Sequence, residues 1–335
     1  MKEETPCEYS DNQSLAVKND DKDAKRLKSV VSAASLSHSQ LEHIIQRIND
    51  PQPTTLPTEI HRFSKNAVRF LIVGDLHLNA KESITKKPLC DFRKFKKVLH
   101  IAKEEGAEYI LQTGDVSDGE NMRSEQKYSL VVQGEDNVIE YCSNVWPDCG
   151  LRTFFIGGNH DQTYMKSIGS DICAKIAAKR KDLIYLGMNE GNLPLQPEYI
   201  KKILEGKGLP SVGPTWMRIR HPAKGTAKSQ SYQPQAHIEA LHSEFKPRIL
   251  VIGHYHKMDY LFERNVHCFQ AGAMEKQSDW MRTHDLQAHL GAWLVTCYYK
   301  EDGTIDGVRK RKLEYEVNGN EKWGKLMEMG VYEGK

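Results

Sequence analysis

The chain has no long apolar run. Its longest, such as Phe70 to Val73 and Ile249 to Ile252, fall far short of the ~20 residues that cross a bilayer. Its seven cysteines (Cys7, Cys90, Cys142, Cys149, Cys173, Cys268, Cys297) are odd in number and scattered, with no C-x-x-C pair. That argues against a disulfide framework and a zinc–thiolate site, and it fits a reducing compartment. Neither sign of charge dominates: 47 Lys and Arg against 45 Asp and Glu give a formal net charge of +2. Bulk charge therefore announces no nucleic-acid binder, and any basic footprint must be local. There is no internal repeat of roughly 20–50 residues and no extended low-complexity tract. The start, Met1-Lys2-Glu3-Glu4-Thr5, lacks the apolar core of a signal peptide. These absences predict a cytoplasmic protein with no membrane partner. Its 335 residues can hold one large α/β domain and an extension.

Residues 1–34 are rich in Lys, Asp, Glu, Ser and Asn and cannot offset their ordering entropy by burial, which predicts a disordered polar tail. Residues 35–60 read as one amphipathic helix and a Pro-rich linker. Leu41, Ile44, Ile45 and Ile48 fall at helical spacing after Ser39, with Glu42 completing a capping box, and Pro51 and Pro53 stop the helix. A single helix suits docking to a protein partner or homodimerisation better than DNA reading. The main folded domain is expected over 61–320, with a tail over 321–335.

From Val68 the pattern changes. Strands are expected at Phe70–Val73, Tyr109–Leu111, at the run beginning Phe154, and at Leu183–Leu186. Helices are expected around Phe92–Ala102, closed by Gly106, then at Leu130–Tyr141 and Ile172–Ala178. This alternation is the signature of βαβ units and an α/β fold. Beyond Gly187 strands dominate: Thr215–His221, Ile249–Ile252, 265–271, 291–299 and 304–316, with a helix around Ala236–Phe245. In the first of these, Trp216, Arg218 and Arg220 share one face and Met217 and Ile219 the other.

Four of the strands end in glycine-led polar clusters. These are Gly74-Asp75-Leu76-His77, Gly114-Asp115-Val116-Ser117-Asp118, Gly157-Gly158-Asn159-His160-Asp161 and Gly253-His254-Tyr255-His256. His221 ends a fifth. The carboxyl ends of strands are where α/β sheets put their chemistry. Asp75, His77, Asp115, Asn159, His221, His254 and His256 together make a ligand set of carboxylates, imidazoles and one amide. Such a set suits Mn²⁺, Fe, Zn²⁺ or Ni²⁺ rather than Ca²⁺. In the D-x-H and H-x-H pairs, an extended backbone would put both side chains on one side, within reach of one ion. His100, His237 and His289 fall outside these clusters and are read as ordinary core or surface residues.

The clusters GDLH, GDVSD, GNHD, a lone His and GHYH, in that order, resemble the calcineurin-like metallophosphoesterase superfamily over roughly residues 68–316. The resemblance implies a four-layered α/ββ/α sandwich with two divalent metal ions, Mn²⁺ foremost, at the strand ends. It implies that Asp75, His77 and His256 hold the first ion, Asn159, His221 and His254 the second, and that Asp115 bridges them. His160 would be the general acid, oriented by Asp118. The implied activity is metal-dependent hydrolysis of a phosphoester, with no covalent intermediate.

Protein Ser/Thr phosphatases of this superfamily carry Arg after the second Asp of the second motif and Glu after GNH. Here those positions are Gly119 and Asp161, so the bidentate clamp for a monoester dianion is missing. GDLHL and GNHD are closer in pattern to the SbcD-like DNA-repair exonuclease branch. The stretch Arg218 to Tyr232, with Gln270-Ala271-Gly272 and Leu290-Gly291-Ala292-Trp293, resembles phosphoesterases of that branch. Arg218, Arg220, Lys224 and Lys228 flank His221, with Trp216 and Tyr232 near for base stacking. The expected activity is a phosphodiesterase on nucleic acid, exonuclease-like, with Arg218, Arg220 and Lys224 on the substrate. The alternatives are a small-molecule phosphodiesterase, for example on cyclic nucleotides, and a non-catalytic accessory subunit. That last reading expects missing ligands, and none is missing. A second basic run, Arg309–Lys312, is expected on an exposed C-terminal strand, either on substrate or protecting a sheet edge.

Overall fold

The run Phe70-Leu71-Ile72-Val73 has no polar face, and it forms the end of β1 (Ala67–Val73), an interior strand of a seven-stranded sheet. The structure is a computed structural model and describes residues 63–123, 125–207, 215–223, 225, 229–242, 246–315 and 327–329. Side chains of β1 diverge into two cores, Phe70 and Ile72 into one, Leu71 and Val73 into the other. A strand covered on both faces needs this continuous apolarity.

On one side of β1 lie the parallel strands β2 (Tyr109–Gln112), β3 (Arg152–Gly157) and β4 (Leu183–Met188). On the other, β10 (Leu290–Tyr299), β11 (Ile305–Tyr315) and β12 (Met327–Met329) continue antiparallel. A second sheet has the order β5 (Glu190–Pro194), β6 (Trp216–Arg220), β7 (Ile249–Ile252), β9 (Val266–Ala271) and β8 (Met258–Glu263). In it β6, β7 and β9 run parallel.

The two sheets face each other across a core that includes Phe70, Phe154, Ile219, Val251, Phe269 and Trp293. Fully burying such side chains contributes about 1.5–3 kcal/mol each. Helices α1 (Phe92–Glu104), α2 (Glu135–Val145) and α4 (Ile172–Lys179) cover the outer face of the first sheet through Phe95, Val98, Val138, Cys142, Ile172 and Ile176. Asp91 caps α1, its carboxylate accepting from the Lys94 N–H at 3.0 Å. Helix α6 (Tyr232–Glu239) covers the second sheet, with Ile238 packed against Leu250 and Cys268. Helix, sheet, sheet, helix: this is the four-layered α/ββ/α sandwich that the resemblance implies. No helix among the described residues is long and apolar enough to cross a membrane.

Several expectations are corrected. The helix expected at Leu130–Tyr141 is α2, which starts at Glu135. Gly134 stands before it at φ +83°, a backbone that cannot lie inside a right-handed helix. The helix expected at Ala236–Phe245 starts earlier and ends at Glu239. Its Pro234 fits because the first turn needs no N–H there. Helices α3 (Gln162–Ile168), α5 (Pro197–Leu204) and α7 (Asp279–Thr283), and strands β5 and β8, were not expected. Of the basic run on β11, only Lys312 is covered by a further strand among the described residues. There β10 pairs along the whole strand and β12 pairs with Lys312–Glu314. Lys310 sits 3.9 Å from the centre of the Tyr260 ring, and Arg311 pairs with Glu105. The expected tail 321–335 contains β12. The expected disordered segment 1–34 and the helix and linker of 35–60 lie outside the described residues.

Candidate metal centre

Each ligand cluster sits immediately past the carboxyl end of a parallel strand. Clusters 74–77, 113–118 and 158–161 follow β1, β2 and β3, while His221 and the 253–256 cluster follow β6 and β7. Both sheets therefore deliver polar groups to one rim. Two glycines explain why these clusters are glycine-led. A Cβ on Gly158 would lie 2.1 Å from Asp115 Oδ1, and one on Gly253 would lie 2.5 Å from the Thr113 carbonyl oxygen. Only a bare backbone lets the loops close to this distance.

The D-x-H and H-x-H pairs do converge, but not by extended alternation. Asp75, His77, Asp115, His254 and His256 have φ values of 29°, 42°, 50°, 77° and 52°, a left-handed region that costs non-glycine residues of order 1–3 kcal/mol each. Hydrogen bonds over-determine this conformation. The N–H groups of Leu76 and His77 both donate to the Asp115 carbonyl at 3.0 Å. The His254 N–H donates to both oxygens of Asp75, at 2.9 and 3.1 Å.

All seven sequence-predicted ligand residues come together. Asp115 Oδ2 lies 3.1 Å from His221 Nε2 and 3.6 Å from His77 Nε2, so it touches both halves of the set. Asn159 Oδ1 lies 2.9 Å from His221 Nε2 and 2.9 Å from His254 Nδ1. Asp75, His77 and His256 offer donor atoms that all lie within 4.8 Å of one another, and so do Asp115, His221 and His254. Donors about 2.1 Å from a common ion lie about 3–4 Å apart, so the spacing fits. Two further features fit a cation. His77 Nε2 and His256 Nδ1 are buried without a hydrogen-bond partner, an arrangement that costs free energy unless something fills the gap. Two other ring nitrogens are spoken for: His221 Nδ1 lies 2.7 Å from the Thr113 carbonyl and His77 Nδ1 lies 3.0 Å from Asp118 Oδ1. Those contacts fix each ring and leave its Nε2 lone pair for an ion.

The electrostatics are strained in the expected sense. Burial pushes the Asp75 carboxyl up to about 7, against the pull of His221. Burial also acts on Asp115, but His221 and His160 outweigh it and hold that carboxylate well below its usual range. Burial lowers His221, yet the Asp115 charge dominates and leaves the imidazole at about 9. For His256, burial and the neighbouring His77 hold the ring well below its ordinary value. Four ionisable groups share one buried cluster, the situation in which ionisation departs most from water.

His160 lies beside this cluster. Its Nδ1 is 2.7 Å from the Asp118 carbonyl and 3.1 Å from Asp118 Oδ1, and its backbone N–H donates to Asp115 Oδ1 at 2.9 Å. Burial lowers this imidazole, but Asp115 and Asp118 raise it above its ordinary value overall. The ring faces a cavity of about 250 Å³ lined by His77, Asp118, Arg123, Glu275 and Trp280. Asp118 is shared: its carboxylate serves both His160 and His77, and Gln126 Nε2 donates to its Oδ2 at 3.0 Å.

Of the expected substrate residues, Arg218 and Arg220 lie on β6 with Trp216 on the outward face, as the alternation predicts. Arg218 Nε is 3.3 Å from Glu190 Oε1 and donates to Asn192 Oδ1 at 2.9 Å, while Arg220 Nε is 3.6 Å from Glu190 Oε2. Trp216 and Tyr232 are exposed. Lys224 and Lys228 lie outside the described residues. His237, read as an ordinary residue, is buried with Nε2 3.0 Å from the Tyr255 hydroxyl.

Sequence reasoning missed three residues here. Asp161 is a structural hub: its carboxylate accepts from the N–H groups of Val116, Ser117 and Gly158 and from the Ser117 hydroxyl, at 2.8–3.0 Å. Asn79 Oδ1 accepts from the Asp118 N–H at 2.7 Å. Glu275, only 3% exposed, places Oε2 3.7 Å from both His77 Nε2 and His256 Nδ1, and burial pushes its carboxyl up to about 7. Asp161 closes the GNHD cluster itself, where it was given no role, and Asn79 lies two residues past His77, which was a usable signal. Glu275 carries none beyond its nearness to Gln270-Ala271-Gly272.

The family described as calcineurin-like phosphoesterase matches residues 68–258. Among solved structures, the chain is similar to a novel archaeal phosphodiesterase at 10% identity and TM-score 0.35, over 73% of this chain and 100% of that one. It is also similar to vacuolar protein sorting 29 from Cryptosporidium parvum, at 14% identity and TM-score 0.37, over 77% and 94%. A putative 5'-nucleotidase from Staphylococcus aureus is similar at 10% identity and TM-score 0.41, over 72% of this chain and 52% of that one. No curated protein matches the chain.

Proposed function

On the premise that the chain belongs to the calcineurin-like phosphoesterases, we propose that its rim of strand ends holds two divalent ions, Mn²⁺ foremost, and hydrolyses a phosphodiester of nucleic acid. Fe, Zn²⁺ and Ni²⁺ suit the same donors. The observation that carries the reading is the position of Asp115, in reach of His77 on one side and His221 on the other. In this reading Asp75, His77 and His256 hold one ion, Asn159, His221 and His254 the other, and Asp115 both. When bound, such a pair supplies Lewis-acid charge for phosphoryl oxygens and a water of lowered pKa.

The chain's own residues supply the rest. His160, held by Asp118 and facing the cavity, gives its Nε2 proton to the departing alkoxide, a contribution of roughly 10²–10⁴-fold. Asp118 favours the protonated ring and holds it in register. Arg218, Arg220 and Lys224 meet the flanking phosphates, the two arginines by leaving Glu190, while Trp216 offers a face for a base. The missing clamp at Gly119 favours a diester over a monoester dianion. A dimer, or a partner held through residues 35–60, is compatible with this arrangement.

The test is cleavage of end-labelled linear and closed circular single-stranded DNA with Mn²⁺, beside a His160→Ala control. Loss of the linear DNA alone makes the protein an exonuclease, and loss of both an endonuclease. If neither is cut while bis(p-nitrophenyl) phosphate is hydrolysed, the substrate is a small phosphodiester.

A further inference from the structure

We propose that Glu275 is an additional protein ligand of the first ion, completing with Asp75, His77, Asp115 and His256 a position richer in carboxylate than the motifs alone provide. The inference rests on the two-ion reading above and extends it to a residue outside every motif.

Four observations carry it. The Glu275 side chain is only 3% exposed, and what it shows lines the cavity it shares with His77 and His160. A carboxylate held in so little water is costly as an anion unless a cation stands beside it. Second, Oε2 lies 3.7 Å from His77 Nε2 and 3.7 Å from His256 Nδ1. These are the two imidazole nitrogens of the centre that are buried without a partner. Third, the separation is wrong for a hydrogen bond, which needs about 2.7–3.2 Å, and right for donors on either side of one ion. Fourth, the placement is fixed by the backbone. The N–H groups of Met274 and Glu275 both donate to the Asp75 carbonyl, at 3.1 and 3.2 Å, so Glu275 is tied to the first residue of the ligand set.

The consequence is an asymmetric pair. The first position would offer three carboxylates and two imidazoles, and the second one carboxylate, one amide and two imidazoles. A harder donor set favours Mn²⁺ or Fe over Zn²⁺ at the first position.

The experiment is titration of the metal-free full-length chain with Mn²⁺ by calorimetry, with electron paramagnetic resonance on the same samples. Wild type is compared with Glu275→Ala and the isosteric Glu275→Gln, and thermal melts check that each variant folds. The expected result is two ions in wild type and one tightly held ion in both variants. The other ion weakens by at least about 100-fold, and the spin-coupled Mn²⁺ pair signal is lost. Two tight ions in both variants would overturn the proposal. So would full retention by Glu275→Gln with loss in Glu275→Ala, since an amide can accept a hydrogen bond but cannot supply the charge. Failure of wild type itself to bind two ions would remove the two-ion reading, and this proposal with it.

Discussion

Oδ1 of Asp118 lies 3.1 Å from Nδ1 of His160. The same oxygen is 3.0 Å from Nδ1 of His77, so one carboxylate orients both the candidate acid and a candidate ligand. Changes at Asp118 and at His160 should therefore differ in kind.

His160→Ala is expected to lower kcat by roughly 10²–10⁴-fold and to leave metal content at two. The deficit should shrink for p-nitrophenyl leaving groups, which need little protonation, and persist for alkyl diesters. Asp118→Asn should add a loss of metal affinity of about 10–100-fold, because His77 loses its partner. Kinetics on paired aryl and alkyl diesters, with metal analysis of each variant, checks both. An equal deficit on both leaving groups would remove His160 from the role of acid.

Asp161→Ala should destabilise the fold even though the residue lies outside the expected ligand set. Its carboxylate serves three backbone N–H groups and one hydroxyl, all buried. Unsatisfied buried donors cost about 1–3 kcal/mol each, so a loss of about 3 kcal/mol or more is expected in urea unfolding. A change below about 0.5 kcal/mol would mean that water replaces the carboxylate.

Gly158→Ala tests how tightly the loops close. The new Cβ would meet Asp115 at 2.1 Å from Oδ1 and 2.4 Å from its backbone nitrogen. Asp115 must then move by about 1 Å, which should lower activity by about 10². Gly225→Ala, with nothing within 4 Å of its Cβ, is the control and should match wild type in the same assay.

His267 predicts part of the acid sensitivity. It is half-buried against Phe262, with Nδ1 2.8 Å from the Tyr260 hydroxyl. Burial, with Arg248 and Lys310, holds its imidazole down at about 4, against about 6.5 in the unfolded chain. Between those values the unfolded state takes up the proton first. The contribution is complete above pH 6.5 and is lost as pH falls towards 4, by up to about 3 kcal/mol. Between pH 7.5 and 5.0 wild type should lose more stability than His267→Gln, measured by urea midpoints. Equal losses would place the acid sensitivity elsewhere.

Much of the fold was legible because it rests on short-range pattern. Phe70–Val73 and Ile249–Ile252 are too apolar to be anything but covered strands, and glycines mark where each strand stops. The convergence of the Asp, His and Asn side chains was legible because all of them except His221 follow such a stop. The left-handed backbones at Asp75 and His77 were not, since they arise from the Asp115 carbonyl accepting both the Leu76 and His77 N–H groups, a contact some forty positions away. Strand β8 lacked the apolar alternation of a half-buried strand, and Phe262 stands exposed on it. Glu275 was invisible for the same reason as the left-handed turns. Its neighbour in space is Asp75, two hundred residues earlier in the chain.

The two sheets meet at two rims of unequal character. At one, the Gly303 carbonyl in the turn between β10 and β11 accepts hydrogen bonds from Thr215 and Gln196, a latch made wholly of neutral groups. At the other, Asp75, Asp115 and Asn159 from the first sheet face His221, His254 and His256 from the second. There the seam is crowded with charge and left-handed backbone. Ion loading would therefore act as a rivet at one rim only. A chelator should speed amide exchange in 74–77 and 253–256 while the 300–304 turn exchanges as before, so the protein would report its metal status as a local loosening rather than a change of shape.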